Sequence, residues 1–253
     1  LYWFPYLLLP ISVGIITHEA AHGVIARHEN ISLKSAGVAF VLAFLGGFVE
    51  TNEEEFEKAS TRSKLRVLSA GSFVNLVTFL VAMLIVSALF VNVPSGIVIR
   101  EISEGSIIEK DGRLRQWDIV YDINGMLRNL SNDLDGSLRN AADFLANVTP
   151  GDTLILNTSK GILRMHVGDS TGEKSLGLSS LMRYCPSRLG LDPLCDVQLY
   201  LTLNLGVTVY GSMAIFNMLP LIPFDGDKFL FYMVKGLTTK RSREVRIAFN
   251  VIF

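Results

Sequence analysis

The chain has 253 residues, 49% of them hydrophobic, with a formal net charge of −1. A mean hydropathy of +0.38 is too apolar for an ordinary soluble domain with its own polar surface. The even charge balance excludes a general attraction to nucleic acid, and no basic stripe with interleaved aromatics appears, so no nucleic-acid partner is expected.

Residues 1–26 carry no Lys, Arg or Asp and are long enough to cross a bilayer as a helix, which takes about 20 residues. Tyr2, Trp3 and Tyr6 sit near the start, as an interfacial aromatic belt would, and Pro5 and Pro10 fall where a kink is tolerated. No basic region precedes the run, so it does not read as a signal peptide. Inside it lies Thr17-His18-Glu19-Ala20-Ala21-His22-Gly23. Positions i and i+4 of a helix face the same way, about 6 Å apart along the axis. His18 and His22 can therefore hold one zinc ion, with Glu19 in reach of its water. An ionisable group in an apolar span costs about 2.5–3.5 kcal/mol on insertion scales, so Glu19 calls for a functional reason. The plainer alternative is a pair of core histidines in a soluble helix.

Residues 35–49 are uncharged but too short to span as a helix. Their Val, Phe and Gly content, with Gly46-Gly47 near the end, predicts a β-like re-entrant hairpin or loop buried in protein rather than in lipid. Residues 50–66 are charged and read as a solvated, partly helical surface segment. Residues 67–93 form a second uncharged span, with Asn75 inside it after Ala70-Gly71. A side-chain amide in such a helix faces protein or water rather than lipid.

Charged and turn residues return in 94–168, with short β-like runs at 96–102, 118–123, 153–158 and 162–167. Asn124-Gly125 reads as a hairpin-type turn, and 140–148 as a short amphipathic helix ended by Pro150-Gly151. This is a small soluble α+β domain inserted between membrane segments. Residues 169–198 read as an irregular polar connector holding Cys185 and Cys195, which can pair outside the cytoplasm or remain free thiols. The third uncharged span, 199–224, ends in Asn217-Met218-Leu219-Pro220-Leu221-Ile222-Pro223-Phe224-Asp225-Gly226. Its prolines unwind the helix, acceptable only where protein or a cavity satisfies the freed backbone. Lys228, Lys235, Lys240, Arg241, Arg243 and Arg246 follow and mark the cytoplasmic side. The chain begins without Met and stops inside a new apolar run, 247–253, and so reads as a fragment of a longer membrane protein.

Three spans must alternate in direction. With the basic tail inside, the inserted domain lies outside, and His18 and His22 come near the inner end of the first span. Asn75 is about eight residues into its own span, roughly 12 Å at 1.5 Å per residue. His18, His22, Asn75 and Asp225 thus converge on the inner half of the membrane. Asp225 is the acidic residue at that depth on another span, with Asp227 a less apolar neighbour. Two His and one carboxylate leave a fourth position for water, the catalytic arrangement of zinc.

Taken together, His18-Glu19-x-x-His22, the Ala-Gly-x-x-x-Asn stretch ending at Asn75, and Asn217-x-x-Pro220-x-x-Pro223-x-Asp225-Gly226 resemble the site-2 protease family of intramembrane zinc metalloproteases. The insert resembles a PDZ domain in Glu104-Gly105-Ser106, Trp117-Asp118-Ile119-Val120, Ile123-Asn124-Gly125 and Pro150-Gly151-Asp152, with Trp117 where such domains usually carry Gly. The resemblance implies a polytopic α-helical membrane protein with a re-entrant β-like element and an inserted extracytoplasmic α+β PDZ-like domain. Its core would be 1–93 and 199–253, its insert 94–168. It further implies that His18, His22 and Asp225 bind zinc, that Glu19 is the general base, and that Asn75 and Asn217 hold substrate or the developing oxyanion. Peptide bonds within or near the transmembrane segments of protein substrates would be cut, with the lipid bilayer as a partner, and the PDZ-like domain would take a peptide ligand. The rival readings are a metal-ion transporter, which has no use for a base at Glu19, and a peptide-binding receptor with a dead site, against which the complete ligand set argues.

Overall fold

The computed structural model describes residues 4–41, 44–127, 136–137, 139–140, 143–144, 147–149, 151–167 and 178–237. Tyr2, Trp3, the basic residues from 240 to 246, the apolar run 247–253 and much of the expected helix 140–148 lie outside them. The chain divides into two compact units, residues 1–85 with 201–253, and residues 86–200.

In the first unit the long apolar runs are helices: α1 is Phe4–His28, α3 is Thr61–Leu89, and α5, Pro193–Phe216, enters this unit at Leu201. All three are long and apolar enough to cross a membrane. Much of α3 turns large apolar side chains outward, Phe73, Leu80 and Leu84 among them, as a lipid-facing helix does. It starts six residues before the uncharged run, because Ser60 caps it: the Ser63 N–H donates to Ser60 Oγ at 3.1 Å. The short helix α2, Glu53–Lys58, is capped by Asn52, whose side chain accepts from the Glu54 and Glu55 amides.

Between α1 and α2 the chain makes an antiparallel hairpin of β1, Leu33–Val41, and β2, Phe44–Thr51, with Ala36 opposite Val49 and Val38 opposite Gly47. β2 lies along α1. Its Leu45 N–H donates to Ser12 Oγ at 3.2 Å, and its Val49 N–H to Glu19 Oε2 at 3.1 Å. Residues 45, 47 and 49 share one edge of the strand. At Gly47 a β-carbon would stand 3.3 Å from Ile16 Cα and 3.5 Å from Glu19 Cβ. The missing side chain lets the strand edge reach the helix.

The second unit is built on a five-stranded antiparallel sheet. β3 is Gly96–Ile102, β4 Ile119–Ile123, β5 Thr153–Thr158, β6 Gly161–His166 and β7 Leu178–Tyr184, in the order β6-β5-β4-β3-β7. A one-turn helix, α4, covers Ile107–Asp111. Along β5 exposed and buried residues alternate, and Leu154 and Leu156 join Ile97, Ile99, Ile123 and Met165 in the core.

Two expectations are corrected. Asn124 and Gly125 do form a tight turn, both with positive φ and closed by Met126 N–H to the Ile123 carbonyl at 2.8 Å. It is not a hairpin, since β4 pairs with β3 and β5, and β5 begins only at Thr153. Asn-Gly encodes left-handed dihedrals, not the element that follows. The stretch read as an irregular connector supplies β7, paired with β3, and the first turn of α5. Its serines and arginine hid the strand, whose partner edge is remote in sequence. Cys185 and Cys195 are free.

Gly47→Val should force β2 off α1. Overpacking of this kind costs typically about 1–3 kcal/mol. A lowered midpoint of thermal unfolding in detergent checks it, with Gly46→Val as the comparison, since a β-carbon at Gly46 meets nothing nearer than the Ala39 carbonyl at 3.7 Å.

Candidate metal centre

The i and i+4 spacing on α1 puts His18 and His22 on one face, with ring centroids 4.7 Å apart and planes at 76°. Asp225 arrives from the far end of the chain. After α5 stops at Phe216, residues 217–224 turn back, and Asp225 opens helix α6, Asp225–Leu237. The Gly226 N–H donates to the Asn217 carbonyl at 2.8 Å, and a β-carbon on Gly226 would run into the Met218 and Leu219 carbonyls. The loop therefore lies directly across the first turn of α6, and only glycine after Asp225 permits it.

His18 Nε2, His22 Nε2 and Asp225 Oδ2 stand 3.1 Å from one another in all three pairings. Bonds of about 2.0–2.1 Å to a tetrahedral zinc would set its ligands about 3.3 Å apart, so this donor set fits the ion without rearrangement. Asp227 is buried nearby but is not in the donor group. The chemistry of His22 fits too. Its Nδ1 lies 2.7 Å from the Val67 carbonyl, which can only accept. The ring proton is thus on Nδ1, and Nε2 presents a lone pair.

Helix α3 backs the centre. A β-carbon at Gly71 would lie 2.5 Å from both His18 Nε2 and His22 Nε2. Asn75, one turn further on and fully buried, has its side-chain amide 3.1 Å from His18 Nδ1. Asn217 is half-buried, with its amide 3.4 Å from the same nitrogen.

The model of peptidase family M50 matches residues 6–253. The chain belongs to this family. The family is one of membrane metalloproteases of the site-2 type and is zinc-dependent in general. The chain is 28% identical over 234 residues to the uncharacterized protein MJ0971 of Methanocaldococcus jannaschii, an alignment covering 88% of this chain and 55% of that protein. The chain thus spans about half the length of the curated relative it matches.

Two cavities of this M50 core meet at Glu19, which is half-buried on α1. One, of about 720 Å³, is lined by polar groups that include His22, Glu50, Glu57, Asp225 and Lys228. The other, of about 580 Å³, runs between α1 and the hairpin past Ile16, Gly23, Gly37, Gly47 and Val49, and is largely apolar. At the rim of the polar one, Lys64 donates to the Glu57 carbonyl at 2.7 Å and stacks over Tyr232 at 4.6 Å, while the Tyr232 hydroxyl donates to the Glu57 carboxylate. Those contacts tie α6 to the start of α3.

His18, Glu19, His22, Asn75, Asn217 and Asp225 are thus brought to one place. Sequence reading quoted Gly71 and Gly226 within motifs but gave neither a task, and this glycine pair makes the assembly possible. The signal was available in Gly71-x-x-x-Asn75, which puts a gap and an amide on one helix face.

Gly71→Ala should weaken zinc binding at least 10–100-fold, the usual scale for a lost supporting contact. Competition against a chromophoric chelator measures it, with Ala70→Gly on the neighbouring position expected to bind normally.

Proposed function

We propose that the protein hydrolyses peptide bonds within or next to transmembrane segments of other membrane proteins. The observation that carries this reading is the meeting, at one carboxylate, of an apolar cleft and a polar cavity beside the donor set. A membrane-embedded substrate needs the first and water needs the second.

His18, His22 and Asp225 would hold zinc, which when bound supplies Lewis-acid polarisation of the scissile carbonyl. Glu19 removes the proton from the attacking water and delivers it to the leaving amine. Its present contact with the Val49 amide aims the carboxylate across the cleft, between helix and hairpin. Asn217, whose amide lies 3.4 Å from His18 Nδ1, is the residue this reading assigns to the substrate or to the carbonyl oxygen as charge develops there. A helical substrate hides its carbonyls in its own ladder and must unwind first. The unwound backbone needs partners, and the hairpin beside the cleft offers strand edges for them.

In this reading the hairpin is re-entrant, the zinc centre faces the cytoplasmic side, and the second unit is an extracytoplasmic PDZ-like domain that screens substrates through a peptide end. The rival of a metal transporter gives Glu19 no task, since it stands outside the donor group.

The test is cleavage of a model single-span substrate by the purified protein, with and without a zinc chelator. Asp225→Ala should lose most of its zinc and all measurable cleavage. Glu19→Gln should keep zinc and fold but slow hydrolysis by roughly 10²–10⁴-fold, because the amide cannot accept the proton. Cleavage by Glu19→Gln within tenfold of wild type would remove Glu19 as the base.

A further inference from the structure

We infer that Asn75 is a positioning residue: its side-chain carbonyl accepts the His18 Nδ1–H and so leaves His18 Nε2 bare to bind metal. The inference rests on the zinc reading above and assigns Asn75 a task other than touching substrate. Both rings need the same thing. A neutral imidazole carries one proton, and a ring that ligates through Nε2 must carry it on Nδ1. For His22 the Val67 carbonyl imposes this, at 2.7 Å. For His18 the nearest group to Nδ1 is the Asn75 amide, at 3.1 Å, with Asn217 further off at 3.4 Å.

The amide can face the ring in two ways. With its nitrogen toward the ring, His18 must accept, its proton moves to Nε2, and the metal face is blocked. In that orientation Asn75 Oδ1 is also buried without any partner, which is costly for a polar atom. With the carbonyl toward the ring, Oδ1 takes the Nδ1 proton and Nε2 is free. Two orientations of an amide differ only in which atom is which, so hydrogen bonding decides between them. Asn75 is fully buried, on the ring nitrogen turned away from Asp225.

Asn75→Leu and Asn75→Asp separate the roles. Leu fills the space without an acceptor, whereas Asp restores an acceptor and makes a carboxylate–histidine pair. Zinc affinity is read by chelator competition on detergent-purified full chain, with thermal unfolding as the control. The expected order is wild type and Asn75→Asp within about threefold of each other, and Asn75→Leu weaker by roughly 10–100-fold. Zinc affinity of Asn75→Leu equal to wild type overturns the inference, and with turnover lost it would make Asn75 a substrate or oxyanion contact. Asn75→Asp binding as weakly as Asn75→Leu, or more weakly, overturns it in favour of a packing role, in which a buried charge is the worse replacement. A wild type that binds no zinc, with Asp225→Ala unchanged from it, overturns the metal reading itself. Should either variant not fold, nitrogen-15 spectra of the zinc-loaded wild type decide: a slowly exchanging proton on His18 Nδ1 supports the inference, and an Nδ1 that carries no proton, or one that exchanges as freely as in a solvated imidazole, overturns it.

Discussion

The close approach of α1 to α3 at Gly71 is the constraint on which the centre depends. A helix normally covers its own carbonyls with the side chain one turn on. At Gly71 nothing stands there, and the space is filled by two imidazoles of α1. The same gap exposes the Val67 carbonyl, four residues earlier, to His22 Nδ1. One missing methyl group therefore does two things: it admits the rings and uncovers the acceptor that fixes the protonation of one of them. Asn75, four residues later on the same face, serves the second ring. Positions 67, 71 and 75 form a single row on α3, matched to the row 18 and 22 on α1.

The third donor is held by different means. Asp225 sits at the end of a proline-broken loop, where the backbone gains nothing from a helix ladder. Its position comes from the Gly226 amide on the Asn217 carbonyl and from the packing that pins α6. Lys64 is almost wholly buried, yet its charge is met by the Glu57 carbonyl, the Glu57 carboxylate and the face of Tyr232. Removing one partner of such a cluster leaves an uncompensated buried group. The arm that carries Asp225 is thus fastened at both ends.

How much of this was legible in the chain depends on whether the cause was local. The His18–His22 spacing is a property of one helix, and any apolar run around it reads the same way. The convergence of Asp225 and Asn75 followed from alternating spans and rise per residue, which are also simple. The β-hairpin was legible as extended structure because Val, Phe and Gly suit a strand. What was not legible had its cause elsewhere. β7 looks polar and irregular because its reason for being a strand is the edge of β3. Asn124-Gly125 fixes two dihedrals and nothing beyond them. Gly71 and Gly226 look like any glycines until the ring atoms and carbonyls that would strike a side chain are in view.

Placing a charged base in an apolar setting is costly unless the groups around it are already arranged. Glu19 meets this condition from two directions. On one side its carboxylate accepts the Val49 amide, so the hairpin edge supplies a fixed dipole in place of water. On the other side it borders a cavity whose lining is mostly polar and includes the charged groups of Glu50, Glu57 and Lys228. The apolar cleft past Gly37 and Gly47 approaches from the hairpin side. A substrate strand entering that cleft would press on the same strand whose amide holds Glu19. The glycine that lets β2 touch α1 therefore ties the position of the base to the element that meets the substrate, and a change at either is felt at both.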